Sequence, residues 1–565
     1  MVETTYRTIG KSVPKPDALL KATGAAVYAG DVRLPGMLEA RVLRSPYPHA
    51  RIVARDISAA LALPGVKTVV TGEDVPEERI GAGVYDQRAL ARDRVVYAGE
   101  PVAAVAALDE EIAERALALI RIDYEPLPAV FDGAKAIEPD APLVHPDLAS
   151  YRGVGPTFGG GNVRTRLVHE AGDVDSAFLE PGVVIHEATY VTPRQSPGAT
   201  EPHAAVAQVD GSGKVTVWAS NKAPFRTRMS VASTLGIPLS RVRFISPLVG
   251  GDFGGKGGGF VEPIVALLAW KARQPVRLAL SRLEELTAMT SRPQYTIQVK
   301  LAARTDGTIV ALEATQICNL GAVDDFGPNR AERNAALTGG YKIPNVRVTA
   351  LATYTNTSPS GHVRAPAGPQ NAFALESAVD SLARMLGLDS FAVRAKNIMH
   401  DGDLVPVRGS ILRNSGLDAC MERARAWLER EDAPPVPHHV PSTQLPSTPL
   451  RTGVGVAIGA WSLGPKMATA ESAASVRVEV PEGPITSVVS IPVSALRKGP
   501  GGDHVFVILP DSGGRARAHD QPVQSGPVVD DDVVILSGLK PGQHVATSGS
   551  FKLRESVLVA TDTTR

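Results

Sequence analysis

Only two cysteines, Cys318 and Cys420, occur in 565 residues. Two thiols cannot build a disulfide framework, and alone they cannot ligate an iron–sulfur cluster. Aromatic residues make up 5% of the chain, so its cores must rest on Ala, Val, Leu and Ile. A charge excess of either sign is missing too: 59 basic side chains stand against 59 acidic ones. That balance argues against nucleic-acid binding, which calls for a basic surplus. The opening MVETTYRTIGKSVPKPDALL holds no apolar run of the kind a secretory signal needs. No window approaches the ~18 uncharged apolar residues of a membrane span. These absences lead to the expectation of a cytoplasmic protein with no membrane span and no nucleic-acid partner. At this length about three to five domains are expected.

What the chain has in plenty is glycine, and it is densest at Leu248–Gly259, LVGGDFGGKGGG, where seven of twelve residues are glycine. An alternating strand pattern from Arg241 precedes it and a helical pattern from Phe260 follows. Glycine costs backbone entropy on folding, so such a density implies backbone passing close to something, with N–H groups aimed at an anion or oxo group. Gly250-x-x-x-x-Gly255-Lys256 fits the first part of a nucleotide-binding P-loop. Gly257, however, stands where Ser or Thr should hold magnesium, and Phe253 is bulky for a loop that wraps a phosphate. A ligand-free packing turn is the bland alternative; a cradle for a different cofactor is the third.

In chain order, residues 1–145 read as an α/β domain. Strands are expected at Leu38–Leu43, Val66–Thr71, Arg94–Tyr97 and Pro101–Ala107. A helix capped by Asp109 should run to Ile120 with Ile112, Ala116 and Leu119 on one face. His49 reads as a turn residue. Tyr151–Asn162 reads as a glycine-rich linker. Hairpins are expected to fold back at Asp210–Gly213 and at Asp306-Gly307. A helix over Asn371–Leu386 should stop at Gly387, and another is marked by Leu417, Cys420, Met421, Ala424 and Leu428, with Cys420 in the core. Residues 431–450 form a proline-rich linker in which His438 and His439 are solvated. The last part, 481–565, alternates short strands (Val488–Val493, Val505–Leu509, Val533–Leu536, Val545–Ser548) with glycine turns and reads as a small all-β tail.

Three further stretches join the glycine loop: Thr192-Pro-Arg-Gln-Ser-Pro-Gly-Ala-Thr-Glu-Pro-His, Gly340-Tyr-Lys-Ile-Pro-Asn-Val and Val363-Arg-Ala-Pro-Ala-Gly-Pro-Gln. Each alone has an ordinary reading, with Glu201 and His203 as a strand-edge pair and Arg364 as a surface charge. In this order, and with Gly24-Ala-Ala-Val-Tyr-Ala-Gly-Asp, Pro35-Gly-Met-Leu, Ser45-Pro-Tyr-Pro-His-Ala and Ala98-Gly-Glu-Pro-Val-Ala-Ala-Val near the start, they resemble the large, molybdenum-cofactor-binding subunit of the xanthine dehydrogenase and aldehyde oxidase family. The resemblance covers residues 5–480. It implies an α+β/α/β multidomain chain: an N-terminal hammerhead-type α/β domain (1–145), a first molybdopterin-binding domain (146–430), and the start of a second (451–480). It further implies a molybdenum–molybdopterin cofactor here, with 2Fe-2S and FAD groups on partner subunits, and hydroxylation of an aldehyde or N-heterocycle with water-derived oxygen. By position, Gln195 matches a glutamine facing an oxo ligand. Gly251, Phe253 and Gly254 match the loop lying against the metal centre, and Arg364 an arginine on a cofactor-contacting loop. Arg333 matches a substrate-side arginine less closely. Ser196–Thr200 depart from the family pattern, and Gly257 replaces an acidic residue found in xanthine-type members, which argues against a purine substrate.

Beyond residue 480 the family's pterin-gripping GQG-type loop and its glutamate base are not recognisable, so no catalytic residue is assigned. Ile491-Pro-Val-Ser-Ala-Leu-Arg-Lys-Gly, His504-Val-Phe-Val-Ile-Leu-Pro and Gly538-Leu-Lys-Pro-Gly-Gln-His instead resemble the C-terminal end of the periplasmic adaptor (membrane-fusion) subunit of efflux pumps. Such a tail implies a periplasmic setting in its own family. Two functional expectations follow: a hydroxylase subunit that binds the molybdenum cofactor, or a non-catalytic chimera with half a cofactor site.

Overall fold

The computed structural model describes residues 11–325, 335–406, 411–413, 415–429, 455–459, 489–499, 502–529, 532–547 and 557–558. The chain divides into two units, 1–472 and 473–565.

A seven-stranded sheet anchors the first unit. Its order is Val242–Ile245, Val215–Ala219, Ala204–Val209, Val276–Ala279, Leu38–Arg44, Pro101–Ala107 and Val66–Thr71. Strands from either side of residue 146 therefore share one sheet, joined where Leu38 pairs in parallel with Val276. Pro101–Ala107 is buried along its whole length, as an apolar central strand should be. The helix Glu110–Leu119 is capped as expected, Asp109 accepting from the Ile112 N–H at 2.8 Å. Its buried face is Ala113 and Ala116, while Leu119 is exposed. The sheet beneath presents Ala103, Val105 and Ala107, and only small side chains allow so close an approach. The helix after the glycine loop, Glu262–Ala272, is buried from Glu262 to Ala269, which is why its sequence is apolar all round rather than on one stripe.

A second sheet has the order Val184–Thr192, Gln294–Ala303, Ile309–Gly321, Asn345–Tyr354, Val163–Ala171. The Ala204–Val209/Val215–Ala219 and Gln294–Ala303/Ile309–Gly321 hairpins form as their turn residues indicate. The helix Gly368–Leu386 lies over this sheet with Leu375, Val379 and Leu382 buried, and Gly387 ends it at φ +67°. Two expectations are corrected. Cys420 is exposed on the helix Leu417–Leu428, and Met421 takes the buried position. The segment 151–162 is not a free linker: Asn162 is buried, its Oδ1 accepting from Val144 N at 2.9 Å and its Nδ2 donating to Pro142 O at 2.9 Å. His49 is likewise buried, its Nδ1 at 2.5 Å from Pro128 O. The 431–450 linker, with His438 and His439, lies outside the described residues.

The second unit is all-β. Val489–Pro492, Asp532–Ser537 and Gln524–Val529 form one sheet, and Arg497–Gly499, Gly502–Pro510, Ala516–Pro522 and Val557–Leu558 another. Ile491, Val505, Val507, Val533 and Ile535 fill the core between them. Val545 makes only a single bridge to Val507. No helix of the described residues is long and apolar enough to cross a membrane.

Candidate functional site

Four of the loop's seven glycines, Gly250, Gly254, Gly255 and Gly258, stand where a Cβ would come closer than 3.0 Å to another atom. A Cβ at Gly250 would lie 2.7 Å from the Glu201 Cβ, and at Gly255 2.6 Å from the Pro197 Cγ. Gly254 combines both demands. Its φ is +114°, and a Cβ there would sit 2.4 Å from the His362 carbonyl oxygen. Phe253 adopts φ +48°, a conformation costly for a bulky side chain. Ala365 and Ala367, in a second loop, have φ +55° and +63°. Three of the four non-glycine residues with positive φ among those described thus occupy two facing loops, the concentration expected where a site overrides local preference.

Hydrogen bonds knit the loops together. Arg364 N donates to Phe253 O at 2.7 Å. The buried Arg292 guanidinium donates to Arg364 O at 2.8 Å and, at 3.3 Å, to Gln370 Oε1. Arg292 N donates to Gln195 O at 2.8 Å, and Gln195 N returns a bond to Arg292 O at 3.3 Å. Gln195, Phe253, Gly254 and Arg364, named from motifs, therefore share one neighbourhood although they span residues 195 to 364. The side chains of Gln195, Phe253 and Arg364 are exposed on it. Among the described residues no acceptor takes the Phe253 or Gly254 N–H. Two successive unpaired amides at positive φ form a small concave donor pair suited to an oxo or anionic group. A flat, anionic metal–pterin group fits these residues: Phe253 is exposed, Gly254 is half-buried, and among the described residues neither backbone N–H has an acceptor. Arg333 lies outside the described residues.

Behind the loop lies a bed of buried polar groups. Glu201 Oε2 accepts from Ser220 Oγ at 2.6 Å, Gly250 N at 2.7 Å and Lys256 Nζ at 2.8 Å. Lys256 is 1% exposed and also donates to Ser220 Oγ at 2.9 Å. His203 Nδ1 lies 2.7 Å from Glu285 Oε1. Burial works against the imidazolium, but the Glu285 carboxylate outweighs it and raises the His203 pKa. Burial pushes the Glu262 carboxyl up, and Asn221 Nδ2 donates to it at 2.8 Å. Asp252 holds the tip from the other side, accepting from Lys256 N at 2.6 Å and pairing with Lys222 at 3.2 Å.

Motif reasoning placed Glu201 only as a strand-edge partner of His203, and it did not find Ser220 or Arg292. One signal was available: a lysine enclosed by glycines has to bury its charge against a carboxylate. The partner stands 55 positions away, so only the fold names it.

Comparisons with known proteins agree with this geometry. Residues 159–398 match the molybdopterin cofactor-binding domain, and residues 23–128 the aldehyde oxidase and xanthine dehydrogenase a/b hammerhead domain. Residues 487–552 match the C-terminal permuted SH3 domain of RND MFPs. The chain is 36% identical over 423 residues to the nicotinate dehydrogenase large molybdopterin subunit of Eubacterium barkeri, covering 74% of this chain and 96% of that one. It is 36% identical over 404 residues to a probable xanthine dehydrogenase subunit of Bacillus subtilis, covering 71% of this chain and 52% of the relative. Among solved structures it is similar to the aldehyde oxidoreductase from Desulfovibrio gigas, with 28% identity and a TM-score of 0.68 over 73% of this chain and 46% of that one. Quinoline 2-oxidoreductase from Pseudomonas putida 86 gives 31% identity and 0.67 over 75% and 55%. The chain thus spans about half the length of several relatives and nearly all of one. Hammerhead domain, cofactor-binding domain and a near full-length relative together establish that the chain belongs to the xanthine dehydrogenase and aldehyde oxidase family of molybdopterin-binding subunits.

Proposed function

We propose that this chain supplies one wall of a molybdenum–molybdopterin site in a hydroxylase that oxidises an aldehyde or an N-heterocycle with water-derived oxygen. The observation that carries this reading is the convergence of the Gln195, Phe253–Gly254 and Arg364 segments, with two backbone N–H groups that no described residue accepts from. When bound, the molybdenum–pterin group supplies oxygen transfer and two-electron oxidation. The chain's own residues position and stabilise. The Phe253 and Gly254 N–H groups favour negative charge developing beside them, without reorganisation at the moment of reaction. Gln195 offers an amide donor that adds no charge, and Gly251, at φ +110°, lets the backbone turn into the tip. Arg364 places a permanent positive charge on the open face. Arg333 is assigned to the substrate side. Gly257, in place of an acidic residue, favours an aldehyde or a heterocycle other than a purine.

No residue of this chain is assigned as the base that removes the proton from the water-derived oxygen. The cofactor-wall reading is supported by the 96% coverage of a relative named as a large molybdopterin subunit. Further subunits with 2Fe-2S and FAD groups would carry the electrons away. The permuted SH3 match at 487–552 favours a second reading, a non-catalytic chimera. Metal analysis separates the two. The chain is produced together with the iron–sulfur and flavin subunits, and molybdenum and turnover are measured. Stoichiometric molybdenum with aldehyde or heterocycle oxidation is expected; a metal-free chain in the assembled complex establishes the chimera.

A further inference from the structure

We propose that Glu201 is a positioning residue that latches both ends of the glycine loop and so sets the direction of the Phe253 and Gly254 N–H groups. This rests on the cofactor-wall reading for its purpose, while the latch itself is testable without cofactor. The chain leaves the sheet after Ile245, and the tip of the loop lies between Gly250 and the buried Lys256. A single oxygen, Glu201 Oε2, receives the N–H of the first and the ammonium of the second, at 2.7 and 2.8 Å. Ser220 Oγ, at the end of the neighbouring strand Val215–Ala219, fixes that same oxygen at 2.6 Å and is itself 2.9 Å from Lys256 Nζ. The return path is also tied, Glu201 N donating to Gly250 O at 3.2 Å. Closing the residues between Gly250 and Lys256 into a ring forces the tip outward, where Phe253 takes its unfavourable φ and its carbonyl meets Arg364 N.

The two carboxylate oxygens of Glu201 differ in what they bind. Glu201 Oε1 is buried and has no hydrogen-bond partner. Here every donor converges on one atom, the arrangement that best defines the distance between the two loop ends. Charged hydrogen bonds of this kind are stronger than neutral ones and less compliant.

The test is amide hydrogen exchange on the full chain without cofactor, comparing the wild type with Glu201→Gln, Lys256→Met and the double variant. Each single variant is expected to accelerate exchange across residues 250–257 by about tenfold, the loss of one charge-assisted hydrogen bond. Exchange in the Asp210–Lys214 turn should stay unchanged. The double variant should be no faster than the faster single, since both break one latch. Unchanged loop exchange, or acceleration spread evenly over the chain, overturns the proposal. Should Glu201→Gln fail to fold, Ser220→Ala removes a donor to the same oxygen and must show the same loop-confined effect, or the proposal falls. In the molybdenum-loaded complex, Glu201→Gln should shift the molybdenum paramagnetic-resonance signal with metal content retained, and Glu201→Asp should restore part of it. Absence of molybdenum from the wild-type complex would sink the cofactor reading while leaving the exchange result standing.

Discussion

Asp86 shows how a single buried side chain makes this molecule sensitive to pH. It is 2% exposed and accepts from Tyr354 OH at 2.6 Å and Asp324 N at 2.8 Å, while its Oδ1 is buried without a partner. Burial, with the neighbouring Asp324 charge, pushes its carboxyl up to about 7. The unfolded carboxyl titrates near ~4. Between those values the native chain holds a proton that the unfolded chain has lost. Its stabilising contribution is complete below pH ~4 and is lost as pH rises through about 7, up to ~4 kcal/mol in all. Asp86→Asn keeps an acceptor for both donors and removes the titration. The melting temperature of this variant should therefore fall less steeply than that of the wild type between pH 5 and 8; parallel curves would refute the assignment. At this same scale, motifs identified Gln195, Phe253, Gly254 and Arg364, because local sequence carries the loop chemistry. Arg292 escaped, and Glu201 read only as a strand-edge residue, because their roles depend on partners far along the chain.

Elements were legible where periodicity and turn chemistry agreed, as in the helix Gly368–Leu386 and the two hairpins. They were not legible where partners decide. Ala516–Pro522, ARAHDQP, has no apolar alternation, yet it is a strand because it pairs along its length with His504–Pro510. The short segment 455–459 docks onto the first unit for a similar reason. Ile458 is buried in the core, and its N–H donates to Glu376 Oε2 at 2.9 Å. The same oxygen takes Arg394 Nε at 2.8 Å, and Glu376 Oε1 accepts from Tyr341 OH at 2.7 Å. One carboxylate on the long helix thus ties down the helix Ser390–Asn397, the start of the Tyr341 segment and residue 458. Arg394 is 0% exposed, so Arg394→Met leaves Glu376 charged without its cation. A loss of ~3–5 kcal/mol is expected in urea unfolding; a loss below ~1 kcal/mol would mean the network is dispensable.

For the whole molecule, the division into residues 1–472 and 473–565, each with its own core, predicts separate unfolding. A chain ending at residue 472 should melt at the temperature of the corresponding transition in the full protein, and the transition of the tail should vanish. A shift of more than a few degrees in the remaining transition would show that the tail supports the first unit. Within that first unit, the hammerhead region and the cofactor-binding region are not separable in the same way. They share the seven-stranded sheet, and Leu38, Ala205 and Leu268 lie in one core.

The sequence by itself determined the family and the likeness of the tail to an efflux-pump adaptor. Each of these is written in local motifs and short-range periodicity. Only the tertiary structure decided that Gln195, Phe253 and Arg364 meet, that one carboxylate closes the glycine loop, and that residue 458 joins the core. Those contacts lie between segments tens to more than a hundred residues apart, and the sheet register that brings them together is set by packing of the whole unit.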